Sequence, residues 1–176
     1  MPERRSQSAD LSLWLPVLWS AAVPVTQGEV TRGPQSANQR RMVDLSRIAP
    51  GMSGQSRIVV TDDKTAPFVG SGRIAVLATP VMINLIEAAA LAAIEHLLPE
   101  GHQSLGTHLD VSHVAATPVG LGVTASAEGT KVEGRTVHFR VEARDDREVI
   151  GGGTHVRVVV SVARFDERVQ RKLRGA

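Results

Sequence analysis

Between Ala78 and Leu98 the chain is built from Ala, Leu, Ile, Met and Val with almost no charge, opened by Thr79-Pro80 and closed by Pro99 and Gly101. Thr79 reads as a helix N-cap and Pro80 as the first helical residue, so the segment is expected to be one helix, apolar nearly all round. A helix of that kind cannot lie on a wet surface, and the rest of the chain has to cover it on most sides. Asn84, Glu87, Glu95 and His96 interrupt the pattern, and Glu87 is the most informative of them. Glu87 lies inside Leu85-Ile86-Glu87-Ala88-Ala89-Ala90-Leu91. A carboxylate there bears a desolvation cost of several kcal/mol unless it is paired, or else its pKa rises. Either outcome suits a general base or a nucleophile. The plainer alternative is a side chain that reaches solvent at a helix edge.

What covers the helix is legible downstream. Four strand-like runs follow, roughly Leu105–Ala116, Gly120–Lys131, Thr136–Arg144 and Thr154–Phe165. They are separated by Thr117-Pro118, Glu133-Gly134, Asp145-Asp146 and Gly151-Gly152-Gly153. The triple glycine has the composition of a phosphate cradle but precedes a strand, so it is expected to be a hairpin turn. An alternating, β-branched run, Ser56 to Thr61, comes before the helix, and a short amphipathic helix, Asp166 to Leu173, ends the chain. One buried helix followed by consecutive antiparallel strands predicts the α+β class, an antiparallel sheet wrapped around one long central helix: the hotdog arrangement. Such a sheet has exposed edges, and edge-to-edge pairing into a homodimer is the natural way to protect them. The sequence leaves dimer versus tetramer open.

Residues 1–41 form a separate N-terminal extension, and residues 42–176, from Met42 on, the functional domain. The extension holds Arg4-Arg5, an apolar stretch from Leu11 to Val25 broken by Pro16 and Pro24, and a polar run to Arg41. That stretch falls short of the ~20 residues that span a bilayer. A secretory signal cut near Ser20-Ala21-Ala22 is the sharper reading, and a non-native or disordered extension the blander one, favoured here. Five arginines against three acidic residues put the whole formal charge of +2 in this segment, leaving the domain balanced. With no basic face, three Phe, two Trp and no Tyr, a nucleic-acid surface is not expected. No membrane partner is expected either.

Three further residues are candidates for chemistry. On a strand of period two, Thr107, Leu109, Val111, His113 and Ala115 share one face, which aims His113 at the same interior as Glu87. A satisfied core histidine and a catalytic one are equally compatible with that position. Thr79 is fully accounted for by capping. It stands eight residues before Glu87, roughly 12 Å along a helix axis, so the two cannot bond directly within one regular helix. If both serve one reaction, the substrate spans them or a second subunit supplies one. Gly106 opens the His113 strand, where a missing side chain lets a ligand approach the backbone and offers an N–H to an oxyanion, or simply marks a bulge. The chain has no cysteine, the histidines lack ligand spacing, and neither HExxH nor Gly-x-Ser-x-Gly occurs. Neither a metal nor an α/β-hydrolase is expected.

Three segments in order, Ala78-Thr79-Pro80-Val81-Met82-Ile83-Asn84-Leu85-Ile86-Glu87-Ala88-Ala89, Ser104-Leu105-Gly106-Thr107 and Val111-Ser112-His113-Val114-Ala115-Ala116-Thr117-Pro118, resemble the fluoroacetyl-CoA thioesterase family of hotdog proteins. Val132-Glu133-Gly134-Arg135 and Ile150-Gly151-Gly152-Gly153-Thr154-His155-Val156-Arg157 continue the likeness, which runs from Met42 onward. The resemblance implies a dimeric hydrolase of acyl-CoA thioesters with a Thr–Glu–His triad on Thr79, Glu87 and His113, and a substrate-contacting glycine on Gly106. It implies no cofactor beyond the coenzyme A of the substrate, and a cytoplasmic setting. One feature departs from the family. The Phe-rich lid before the threonine is here Phe68-Val69-Gly70-Ser71-Gly72-Arg73-Ile74-Ala75, with a single Phe. Fluoroacetyl-CoA itself is therefore not carried over as the substrate. Two rivals remain on the same fold. An enoyl or hydroxyacyl thioester hydratase should open its central helix with His–Asp, which Leu77-Ala78-Thr79-Pro80 lacks. A non-catalytic acyl-CoA binding module would keep the pocket and release no thiol.

Overall fold

The computed structural model describes residues 43–175; the extension expected over residues 1–41 lies outside them. Strand β1 (Ser53–Val59) leads through a 3-10 turn at Asp62–Lys64 to a single helical turn, α1 (Ala66–Val69), and then to the long helix α2 (Thr79–Ile94). Strands β2 (His102–His113), β3 (Gly122–Glu133), β4 (Thr136–Asp145) and β5 (Val149–Ser161) follow, and α3 (Val162–Leu173) closes the described chain.

All pairings are antiparallel and the sheet order is β1-β3-β4-β5-β2, so β1 and β2 are its two edges. The sheet curls around α2, whose Met82, Leu85, Ile86, Ala89, Ala90, Ala93 and Ile94 are buried against it. They meet Val123, Ala125 and Ala127 of β3 and Val137, Phe139, Val141 and Ala143 of β4, alternate residues as a one-faced sheet requires. The many alanines bring helix and sheet backbones close. At Gly54 of β1 even a methyl group would run into the α2 backbone at Ala89 and Ala93. Val81, Ile83, Ala88 and Leu91, on the other side of α2, are only half-buried.

Four expectations need correcting. Thr79 is not the N-cap: Ala78 holds that position, Thr79 is the first helical residue, and no side chain caps this end. The helix also stops at Ile94 and tightens into a 3-10 turn, Glu95–Leu97. Gly151-Gly152-Gly153 is not a turn but the body of β5, paired with Ser112, Val111 and His113 of β2 and with Val141, Glu142 and Ala143 of β4. Here the strands are pressed together so tightly that a side chain at 153 would strike Asp110 O, and one at 151 would lie 3.1 Å from Met82 Sδ. The turn composition reports close backbone approach instead. Thr107, finally, does not share the face of His113. The β2–β5 register shifts between Gly106 and His108, and this bulge leaves Thr107 exposed. Ser104 and Gly106 before it, and Leu109, Val111 and His113 after it, all turn toward α2.

Candidate active site

Two polar clusters sit along α2, about two turns apart. The first is at its N-terminal end. With no capping bond to make, Thr79 Oγ1 lies 2.9 Å from His113 Nδ1. Burial holds the His113 imidazole below the usual histidine range, partly opposed by the nearby Ala115 backbone, so near neutral pH it is uncharged and able to take a proton. Its Nε2 is buried without a hydrogen-bond partner. A pocket of about 290 Å³ borders the pair, lined by Ala66, Ser71, Val76, Leu77 and Val114 among others. Val114 in its lining is 73% exposed, and so are Ile74, at 73%, and Phe68, at 70%, in the segment before Thr79. The one phenylalanine of the segment before Thr79 is thus largely exposed.

The second cluster surrounds Glu87, whose side chain is 38% exposed and directed into the concave side of the sheet. Its Oε1 is 3.9 Å from both His155 Nε2 and Arg157 Nη1. Gly106 backs the same carboxylate: a Cβ at that position would overlap Glu87 Oε1 and sit 3.1 Å from His155 Cε1. The space left by the absent side chain is the space the carboxylate uses.

His155 and Arg157 were not singled out from sequence, although a signal existed. In Thr154-His155-Val156-Arg157-Val158-Val159 both fall on the parity of buried Val159, so a period-two reading puts two strongly polar groups in the core. His155 is fully buried, and its Nδ1–H donates to His108 O at 2.9 Å. That bond leaves Nε2 as an acceptor, and the Nη1 of Arg157 donates to it at 3.3 Å. Burial and the neighbouring guanidinium both hold the His155 pKa down, while His108 O and Glu87 partly oppose them. Arg157, itself lowered by burial, is supported by Glu87 and Glu95.

Thr79 and His113 are therefore brought together, as are Glu87 and Gly106, but the two clusters do not meet within one chain. The larger hollow, about 600 Å³, lies on the outer face of the sheet beside Gly152 and Arg140 and contains none of these groups except through the backbone of the glycine run. Among the described residues no group of three or more His, Asp or Glu is placed to hold a metal ion.

A family described as fluoroacetyl-CoA-specific thioesterase matches residues 60–163, a span that includes both clusters. The chain belongs to the fluoroacetyl-CoA-specific thioesterase family. It is a thioester hydrolase with the hotdog fold. The fluoroacetyl-CoA thioesterase of Streptantibioticus cattleyicolor is 45% identical over 97 residues, 55% of this chain and 70% of that one. A solved structure of a fluoroacetyl-CoA thioesterase, a threonine-to-alanine variant with fluoroacetate, is 37% identical with a TM-score of 0.67, covering 71% of this chain and 98% of its own. A hot-dog-like protein from Thermanaerovibrio acidaminovorans is 25% identical with a TM-score of 0.67, over 73% and 96%. Within this thioesterase family the expected curl of sheet around helix stands as read, and the hydratase alternative falls away.

Proposed function

We propose that this thioesterase hydrolyses an acyl-CoA to the free acid and coenzyme A, with Thr79, Glu87 and His113 as catalytic groups and Gly106 as the backbone platform for the acyl group. The observation that carries the reading is the pair of half-sites: a threonine hydroxyl 2.9 Å from a neutral imidazole, and a carboxylate lodged in the space of a glycine, both facing the hollow of one sheet.

The two halves join in a homodimer. β2 is an edge strand, and antiparallel pairing of β2 with a second copy sets the His113 end of one chain beside the Gly106 end of the other. The orphaned Nε2 of His113 and the half-buried apolar side of α2 both gain partners in such an assembly. In the composite site Glu87 delivers the attack on the thioester carbonyl, either through a water it deprotonates or directly as a mixed anhydride that water then opens. Thr79 hydrogen-bonds the reacting centre, and His113, neutral at rest, takes up a proton from the consumed water and passes it to the coenzyme A thiolate. Net, the C–S bond breaks, a C–O bond forms and one water is consumed.

The substrate is an acyl-CoA, and fluoroacetyl-CoA is not carried over as its identity, because the segment before Thr79 exposes its single Phe68 rather than closing an aromatic lid. Thiol release from a panel of acyl-CoA esters tests the activity, and Glu87→Gln is expected to lose at least about 100-fold in kcat with the fold intact. Co-expressing Glu87→Gln with His113→Ala tests the composite site. Each variant alone is inactive, but a mixed dimer restores one whole site of two, for about a quarter of wild-type activity in the statistical mixture. No recovery means that the site lies within one chain.

A further inference from the structure

Arg157 does more than stand near Glu87: two of its three nitrogens are held from behind. Its Nε donates to Ser104 Oγ at 2.9 Å and its Nη2 to Ser104 O at 2.8 Å. Ser104 is in turn fastened to Glu95, by its hydroxyl at 2.7 Å from Oε2 and by its backbone N–H at 3.2 and 3.3 Å from the two carboxylate oxygens. Glu95 is the first residue after α2, on the 3-10 turn that ends the helix. A chain of contacts thus runs from the end of the helix, across β2, to the guanidinium on β5 and on to the carboxylate inside the site.

This geometry makes a directional device. The guanidinium is a rigid planar fork. With Nε and Nη2 taken by the two oxygens of one serine, its plane is fixed, and Nη1 is left facing His155 Nε2 and Glu87 Oε1. His155 offers no N–H toward Glu87, because its Nδ1–H is committed to His108 O and its Nε2 accepts from Arg157 Nη1. A free arginine of this length would have many rotamers; this one has a single direction.

We propose that Glu95 and Ser104 are positioning residues of the thioesterase, acting through Arg157 to hold the Glu87 carboxylate at its place beside Gly106. The inference rests on the reading of Glu87 as the attacking group, and the test separates the two. Ser104→Ala removes the hydroxyl that joins Glu95 to Arg157 and leaves both backbone bonds. It is expected to lower kcat by about tenfold, the worth of one hydrogen bond to a charged group, with KM within about twofold. Glu95→Gln, which keeps the volume, should do the same, and Ser104→Thr, which keeps the hydroxyl, should retain most of the rate.

The deciding measurement is the cycle with Arg157→Lys, which keeps the charge but not the fork. If Ser104 acts through Arg157, then Arg157→Lys with Ser104→Ala falls no lower in kcat than Arg157→Lys alone. Wild-type kcat in both Ser104→Ala and Glu95→Gln overturns the proposal, as does a full tenfold loss added on top of Arg157→Lys. Should Arg157→Lys not fold, the same non-additivity is read from Ser104→Ala combined with Glu95→Gln. A Glu87→Gln enzyme of undiminished rate would instead refute the role of Glu87 and leave the cycle to be judged by itself.

Discussion

Adding one methyl group at Gly106 separates catalysis from stability in this fold. The backbone at 106 is ordinary strand geometry, so alanine brings no conformational strain; what it meets is the end of the Glu87 side chain and, at 3.1 Å, the edge of His155. Restoring a normal separation of about 3.5 Å between carbon and oxygen drives the carboxylate back by about 1 Å. Glu87 is 38% exposed and can swing into solvent, so the fold bears little of the strain, about 1 kcal/mol or less. The reaction bears the rest. A displacement of that size in a reacting group costs roughly 100-fold, or about 2.7 kcal/mol in the barrier. Gly106→Ala should therefore melt within a few degrees of the parent while kcat/KM for its best acyl-CoA, followed by thiol release, drops by about two orders of magnitude. A variant that keeps its rate would show that Glu87 does not need the space beside Gly106. A variant that loses its cooperative melt would show that the glycine serves packing first.

Thr79→Ala should reduce turnover by about 100-fold yet cost less than the ~1 kcal/mol of a lost helix cap, since Thr79 caps nothing, and Thr79→Ser should keep much of the rate; a large drop in melting temperature with unchanged kinetics would reverse that assignment. Gly153→Ala, where a Cβ would strike Asp110 O and approach Val111 Cα at 2.9 Å, is expected to destabilise by roughly 3 kcal/mol, read as a lower urea midpoint; a wild-type midpoint would mean that the β2–β5 contact is slack. His113 and His155 have folded-state pKa values below the ordinary histidine value, so the unfolded chain takes up their protons first as pH falls. The stability they contribute is whole above about pH 6.5 and declines as pH drops through that value toward the folded pKa values, seen as a falling melting temperature between about pH 7 and pH 5. A flat profile over that window would refute the buried, neutral state of both rings.

Much of this molecule was open to reading from residues alone, for identifiable reasons. An apolar helix without a polar face has to be enclosed, and four alternating runs after it leave few ways to do so. Glu87 stood out because nothing near it in sequence could solvate a charge. Three things were hidden, each for want of a tertiary fact. Thr79 satisfies every local rule for a cap, and only the arrival of His113 shows that its hydroxyl is engaged elsewhere. The triple glycine has turn composition, and only the pressure of β2 and β4 on β5 explains why side chains are excluded there. His155 and Arg157 were visible as a parity anomaly, but their partners, Ser104 and Glu95, come from segments about fifty residues away in the chain.

The irregularity at Thr107 has a consequence for how this strand can vary. Seven residues separate Gly106 from His113, an odd number, and in an undisturbed ribbon odd spacing sends two groups to opposite sides. The extra residue resets the count, so a single strand turns both Gly106 and the His113 imidazole to the same side of the sheet. Removing it would leave the length of the ribbon nearly unchanged and yet turn one end inside out, sending either Gly106 or His113 to face water. The Thr107 hydroxyl ties the bulge to β5 by donating to Val156 O at 3.2 Å, but it is the presence of the residue that sets the facing of the strand.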